Sequence, residues 1–255
     1  MITLTTIGYG DFSPQTDLRK IFTLLYIVVG VALILGFFNS LMLHFKKQQD
    51  ALYMVTIIGQ TVLQQLPDAE IRYIPDFLPA ALANPYFEDL LHHIPWRQDP
   101  ITVFGKTHPQ PRLTSLHAHT LDSYSYSGIV MTPQPMTDTL KRIENRIYQL
   151  CDASFTTVLL NLYRDGKDSN GWHADDEPEL GKNPVIASVS LGAPRFFHLR
   201  HNHDPKQRYK LLLEHGSLLL MGGTTQQFWK HQVAKTAKKV SPRINLTFRK
   251  VYHSN

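Results

Sequence analysis

The stretch Asn170-Gly-Trp-His-Ala-Asp-Asp-Glu177 places His173 and Asp175 two residues apart. In an extended backbone that spacing sends both side chains to the same side. A third donor, His231, follows in Phe228-Trp-Lys-His231, 56 residues after Asp175. Two neutral imidazoles and one carboxylate on one face of a metal leave the opposite face open. That donor set holds Fe(II) for chemistry with O2 and a cosubstrate.

Arg243 lies twelve residues beyond His231, in Ser241-Pro-Arg-Ile-Asn-Leu-Thr-Phe-Arg249. Arg243, Asn245 and Arg249 differ by even numbers, so a regular strand presents all three on one face. A planar guanidinium grips a carboxylate through two parallel hydrogen bonds, and two such groups on one face suit a dicarboxylate. Upstream, Asn161 and Tyr163 are also two apart and add an amide and a phenol.

These groups need a scaffold that holds distant segments together. From about Leu66 onward, short apolar runs alternate with Gly, Asn, Asp and Pro. The runs include Phe155–Tyr163, Val185–Gly192, Pro194–Asn202, Tyr209–Met221 and Arg243–Val251, a pattern that predicts an antiparallel sandwich or barrel. Between 138 and 151, Leu140, Ile143, Ile147 and Leu150 recur at helical spacing, so an amphipathic helix is expected there.

The first 65 residues differ in kind. Ile21–Leu43 carries no charge over 23 positions, long enough to cross a bilayer. Arg19 and Lys20 flank it on one side, Lys46 and Lys47 on the other, so charge alone leaves its orientation open. Ahead of it, Thr5-Thr-Ile-Gly-Tyr-Gly-Asp11 reads like the selectivity filter of a potassium channel. Filter backbone at membrane depth has to be buried in protein, and only a few residues precede this one, so no conduction is expected. The expected division is a filter-like segment and transmembrane helix over 1–45, a connector over 46–65 and a catalytic domain over 66–255. The N-terminal part reads as a membrane tether, a fusion remnant or a consequence of where translation starts.

The whole chain has 255 residues, 43% of them apolar, and a net charge of +5, so polyanions are natural partners and disorder is not indicated. Cys151 is the only cysteine, which excludes an internal disulfide and agrees with a reducing compartment.

Residues 66 to 251 resemble the AlkB family of Fe(II)- and 2-oxoglutarate-dependent dioxygenases. The branch they resemble most is the one that repairs alkylated bases. The likeness rests on Ile71-Arg-Tyr-Ile-Pro-Asp-Phe-Leu78, Pro111-Arg-Leu-Thr-Ser115, Asn161–Glu177, Pro184–His201, His215–His231 and Ser241–Arg249, in family order. The resemblance implies a mainly β fold with some α, a double-stranded β-helix (jelly roll) flanked by helices. It implies His173, Asp175 and His231 as ligands of Fe(II), and Asn161, Tyr163, Arg243, Asn245 and Arg249 around 2-oxoglutarate, with Arg243 on its distal carboxylate. It also implies that Tyr126 stacks on a flipped base opposite His173, with Tyr124, Asp176 and Glu177 near the base edge and Arg112 contacting nucleic acid. The family often follows its Pro-Arg motif with an aromatic, a Gly and an acid. Here Leu116-His-Ala-His119 stands in that place, where a lid is expected.

The activity so implied is oxidative dealkylation of bases such as N1-methyladenine and N3-methylcytosine in DNA or RNA, consuming O2 and 2-oxoglutarate. Succinate, CO2 and formaldehyde are the expected products. A methylated pairing edge lowers the cost of extruding the base. Lys230, Lys235, Lys238 and Lys239 lie near His231 in sequence, where phosphates would meet them. The iron and cosubstrate residues alone suit equally a hydroxylase of a protein or small molecule, and a channel subunit carrying an enzyme domain is a further reading. No obligate protein partner is expected, and the catalytic domain is expected in the cytoplasm, with Ile21–Leu43 available as an anchor.

Overall fold

The structure is a computed structural model that describes residues 16–59, 62–64, 66–103, 105–120, 124–126 and 129–252. The filter-like run at 5–11 lies outside them. The chain divides into two compact units, Met1–Thr56 and Ile57–Asn255.

In the first unit the described residues form a single helix, α1, which runs from Asp17 to Gly59 and so carries three residues into the second. No residue of its apolar stretch Ile21–His44 is buried. By length and composition it is able to cross a membrane.

The second unit is mostly strand. In chain order it contains β1 (Val62–Gln64), β2 (Glu70–Ile74), α2 (Ala80–His93), β3 (Pro100–Val103), β4 (Lys106–Pro109) and β5 (Leu113–Ala118). Next come β6 (Tyr124–Tyr126), β7 (Ile129–Met131), β8 (Gln134–Pro135), α3 (Asp138–Tyr148), β9 (Thr157–Tyr163) and β10 (Asn170–His173). The remainder is β11 (Ile186–Gly192), β12 (Arg195–His201), β13 (Arg208–Leu213), β14 (Ser217–Gly222), the one-turn helix α4 (Thr225–Phe228), β15 (Trp229–Val233) and β16 (Arg243–Arg249).

Eight strands form a large sheet in the order β1-β2-β14-β11-β16-β9-β5-β8, and four form a smaller one, β10-β15-β12-β13. The core cluster draws Leu159, Tyr163, Leu219 and Met221 from the large sheet and Phe197, Leu199, Trp229 and Val233 from the small one. The two sheets therefore bury their facing sides against each other, the jelly-roll arrangement. Burying each such side chain contributes about 1.5–3 kcal/mol.

Helix α3 sits where the apolar spacing predicts. Thr137 caps it by accepting from the Leu140 amide at 3.3 Å, and Leu140, Ile143 and Ile147 are fully buried along one stripe. Gly216 turns the chain from β13 into β14 at φ +76°, and a Cβ there would run into the Leu78 carbonyl. One expectation changes. Leu116–Ala118 is no lid but part of β5, an interior strand between β9 and β8, and all three residues are buried. His119, just past the strand, pairs with Glu144 of α3 at 2.9 Å.

Candidate active site

Strands β10 and β15 pair antiparallel with His173 directly opposite His231. Their ring centroids are 4.3 Å apart. Asp175 follows two residues after His173, and ligand atoms of all three lie within 4.8 Å of one another. No other such cluster of His, Cys, Asp and Glu occurs among the described residues.

Each of the three is held in a form suited to bind a cation. The Gly171 carbonyl, 2.7 Å from His173 Nδ1, can only accept, so Nδ1 carries the proton and Nε2 keeps its lone pair. His231 is buried and stacks on Phe197 at 5.0 Å. Burial, reinforced by neighbouring His173, pushes His231 down to about 3, so it is neutral at physiological pH. Burial would raise Asp175, but the Arg249 guanidinium together with the imidazoles of His231 and His173 holds the carboxyl below its ordinary range. Arg249 donates from Nη2 to Asp175 Oδ1 at 2.7 Å. The Asp175 amide in turn donates to Gln226 Oε1 at 2.9 Å, tying the ligand loop to α4.

Behind these three residues lies a wall built by strand register. Tyr163 of β9 stands directly opposite Arg243 of β16, and Asn161 opposite Asn245. On the other side of β16, Ser190 of β11 opposes Asn245. Arg243 is buried and donates from Nη2 to Ser190 Oγ at 2.9 Å. Its Nε and Nη1 are buried and meet no acceptor at hydrogen-bond geometry among the described residues, while its Cζ lies 5.2 Å from the Tyr163 ring centroid. Burial lowers Arg243 to about 10, which leaves it cationic at neutral pH. Asn245 is occupied: its Nδ2 donates to Ser188 Oγ and to the Val189 carbonyl, and its Oδ1 accepts from Thr247. One cleft is lined by His173, Asp175 and His231 together with Asn161, Tyr163, Arg243, Asn245 and Arg249.

The profile of the 2OG-Fe(II) oxygenase superfamily matches residues 70–249, which contain this whole site. The chain belongs to that superfamily. Among curated proteins, this superfamily member is 42% identical over 187 residues to "Alpha-ketoglutarate-dependent dioxygenase alkB homolog 3" of Bos taurus, covering 70% of this chain and 65% of that protein. It is 40% identical over 209 residues to "DNA oxidative demethylase ALKBH2" of Arabidopsis thaliana, covering 72% and 67%. The chain thus spans just under two thirds of the alkB homolog 3 relative. Two solved structures share the fold. "The structure of OsALKBH1" matches at TM-score 0.52 and 19% identity, over 74% of this chain and 100% of that one. A prolyl hydroxylase of Trichoplax adhaerens, solved with a peptide fragment of hypoxia inducible factor, matches at TM-score 0.53 and 12% identity, over 81% and 92%. Separately, an ion channel profile matches residues 1–47.

The residues present fit the iron and 2-oxoglutarate of the superfamily. The donor set is two neutral imidazoles and one anionic carboxylate, and the adjoining wall carries a buried guanidinium with two N–H groups in need of an acceptor.

The remaining expected residues fall in different places. Arg112 is 6% exposed and donates from Nε to Asn161 Oδ1 at 2.6 Å, so its guanidinium serves the inner wall and not the surface. Asp176 is exposed, and Glu177 is half-buried with its carboxyl raised by burial. Tyr124 and Tyr126 belong to β6, opposite Met131 and Ile129 of β7; their side chains lie outside the described part of the structure. Sequence reasoning missed Gln226, Ser188, Ser190 and Phe197. None belongs to a spacing pattern of chemical groups: strand register brings Ser188 and Phe197 to the cleft and Ser190 to Arg243, and α4 carries Gln226 to the Asp175 amide.

Proposed function

We propose that this protein is an Fe(II)- and 2-oxoglutarate-dependent dioxygenase that removes N-alkyl groups from nucleobases such as N1-methyladenine and N3-methylcytosine in DNA or RNA. The observation that carries this is the His173–Asp175–His231 cluster set against the buried, donor-rich wall at Arg243. Its relatives, named as a dioxygenase and a DNA oxidative demethylase, support the same reading.

His173, Asp175 and His231 would hold the iron. When bound, iron and 2-oxoglutarate supply O2 activation: one oxygen atom leaves in succinate, with CO2 released, and the other enters the N-methyl C–H bond. The N-hydroxymethyl product then breaks its C–N bond: the electron pair stays on the ring nitrogen of the formerly cationic base, the hydroxyl proton passes to solvent, and formaldehyde leaves. The chain's own groups do the positioning. Arg243 would take the distal carboxylate of 2-oxoglutarate on its free N–H groups, with the Tyr163 phenol and Asn161 beside it. Arg249 fixes Asp175 so that one carboxylate oxygen is committed to the guanidinium. Tyr126 would stack on the base, and Tyr124, Asp176 and Glu177 would meet its edge.

The deciding measurement is formaldehyde release from N1-methyladenine and N3-methylcytosine oligonucleotides, with and without 2-oxoglutarate. Release that depends on 2-oxoglutarate and vanishes in His173→Ala or Asp175→Ala is expected. Turnover persisting in either variant, or absent on every methylated oligonucleotide, removes the reading.

The exposed apolar face of α1 over Ile21–His44, together with the ion channel profile at residues 1–47, supports a membrane anchor for the enzyme, with the catalytic unit in the cytoplasm. Retention in the membrane fraction after carbonate extraction tests it; a soluble species beginning near residue 50–66 excludes it.

A further inference from the structure

The four-stranded sheet carries a charge pattern that its own pairing opposes. Strands β10, β12, β13 and β15 contain no Asp or Glu, yet include Arg195, Arg200, Arg208, Lys210 and Lys230. The ladder sets Arg200 directly opposite Arg208 on one side and directly opposite Lys230 on the other. Residues directly opposite share a face, so three cations form one row across β13, β12 and β15. The neighbouring pair Leu199 and His231 is buried toward the core, so by alternation this row lies on the outer face.

Like charges directly opposite destabilise a sheet. No carboxylate pairs with Arg200, Arg208 or Lys230 among the described residues. Instead the Arg200 guanidinium lies 4.4 Å over the Trp172 ring. On the same face Lys210 sits 3.7 Å over the exposed Phe196 ring, beside a groove of ≈ 530 Å³ that Lys235 and Lys238 also line. A row of cations interleaved with rings, with no acid in the strands, matches a phosphodiester strand, which offers one negative charge per nucleotide and a π-face on every base. The row also has a position relative to the site. β10 is the edge strand of this sheet, and Trp172 immediately precedes the candidate ligand His173.

We propose that the outer face of the four-stranded sheet, from Trp172 across Lys230 and Arg200 to Arg208, holds the phosphate backbone of the nucleic acid beyond the base in the active site. This rests on the nucleobase reading above for its ligand, but binding tests it without turnover. Contacts to phosphate position a strand without selecting its sequence.

The test uses the full-length protein in detergent and a labelled, unmethylated single-stranded oligonucleotide. The triple variant Arg200→Gln, Arg208→Gln, Lys230→Gln should bind at least tenfold more weakly. Its slope of log K against log salt should fall by about 2, since each lost single-strand phosphate contact removes about 0.7. The melting temperature should hold or rise, because the like-charge row is relieved, and formaldehyde release from a methylated mononucleotide should be unchanged. An unaltered affinity and slope overturns the proposal. So does an equal loss in a control neutralising Lys141, Lys167 and Lys182, which would report net charge alone. Weaker binding to phosphatidylserine vesicles with oligonucleotide affinity intact assigns the row to lipid and also overturns it. Failure of wild type to turn over any methylated base refutes the nucleobase reading while leaving the binding comparison decisive for the platform.

Discussion

Arg249 and Asp175 are 74 residues apart in the chain and 2.7 Å apart in the fold, joined Nη2 to Oδ1 with both side chains buried. The last strand of the large sheet thereby orients a candidate ligand that lies just past the edge strand of the small one. Replacing Arg249 by Ala leaves an anionic carboxylate buried without its counter-charge. Affinity for Mn(II), read by electron paramagnetic resonance, should fall by about tenfold to a hundredfold, the usual cost of removing a group that orients a metal ligand. Unchanged affinity would show that Asp175 is held by other means.

Gln226 holds the same residue from its backbone side. Gln226→Ala leaves the Asp175 amide buried with no acceptor, a loss of about 1–3 kcal/mol in denaturant unfolding. Gln226→Glu retains an acceptor oxygen and should recover most of that stability and the metal affinity. If Ala and Glu behave alike, the hydrogen bond is not what matters there.

Arg243 acts at the far end of β16, six residues from Arg249, a distance of about 20 Å along the strand. Arg243→Lys removes the paired N–H groups while keeping the charge. The KM for 2-oxoglutarate should rise by about one to two orders of magnitude, as expected for about 1.5–3 kcal/mol of charged hydrogen bonding. At saturating cosubstrate kcat should change little, because the contact is made equally in ground and transition states. A drop in kcat with KM intact would move Arg243 out of the cosubstrate wall.

His117 gives the fold a pH dependence independent of the metal ligands. It is buried in β5; Nδ1 donates to the Pro135 carbonyl at 2.7 Å, which leaves Nε2 to accept from the Ser115 hydroxyl. Burial holds it below its ordinary 6.5 despite the Pro135 hydrogen bond. As pH falls below about 6.5 the unfolded chain takes up a proton before the folded one does, so stability declines with acidification through that window. Chemical denaturation at pH 7 and pH 5.5 should show a smaller decline for His117→Gln than for wild type. Equal declines would place the titration elsewhere.

The candidate ligands and the arginines were legible because they sit in regular strands or next to them, where a two-residue spacing fixes the face. The same rule grouped Arg243 with Arg249 but said nothing of distance along the strand, and that distance separates their surroundings: Arg243 meets Ser190 and the Tyr163 ring, Arg249 the candidate ligand Asp175. The family resemblance implied a nucleic-acid contact for Arg112; the β5–β9 pairing sets Thr114 against Asn161, and Arg112, two residues earlier, donates to that same amide. Leu116–His119 was expected as a lid from its place in the family pattern, yet the burial of Leu116–Ala118 is what an interior strand requires. The Arg200 row stayed hidden for a related reason. Its three cations come from three strands, and nothing in the linear sequence sets them opposite one another.

The pairing of His173 with His231 also bears on the order of events in the chain's synthesis. These two donors become neighbours only when β15 docks on β10, and Arg249 reaches Asp175 only when β16 closes the large sheet. A nascent chain stopped between residues 175 and 231 holds two donors and no third, and one stopped between 231 and 249 lacks the guanidinium that pairs with the Asp175 carboxylate. A complete candidate site is thereby a property of the closed pair of sheets. The full donor set thus comes together only with both of the walls that would direct its chemistry.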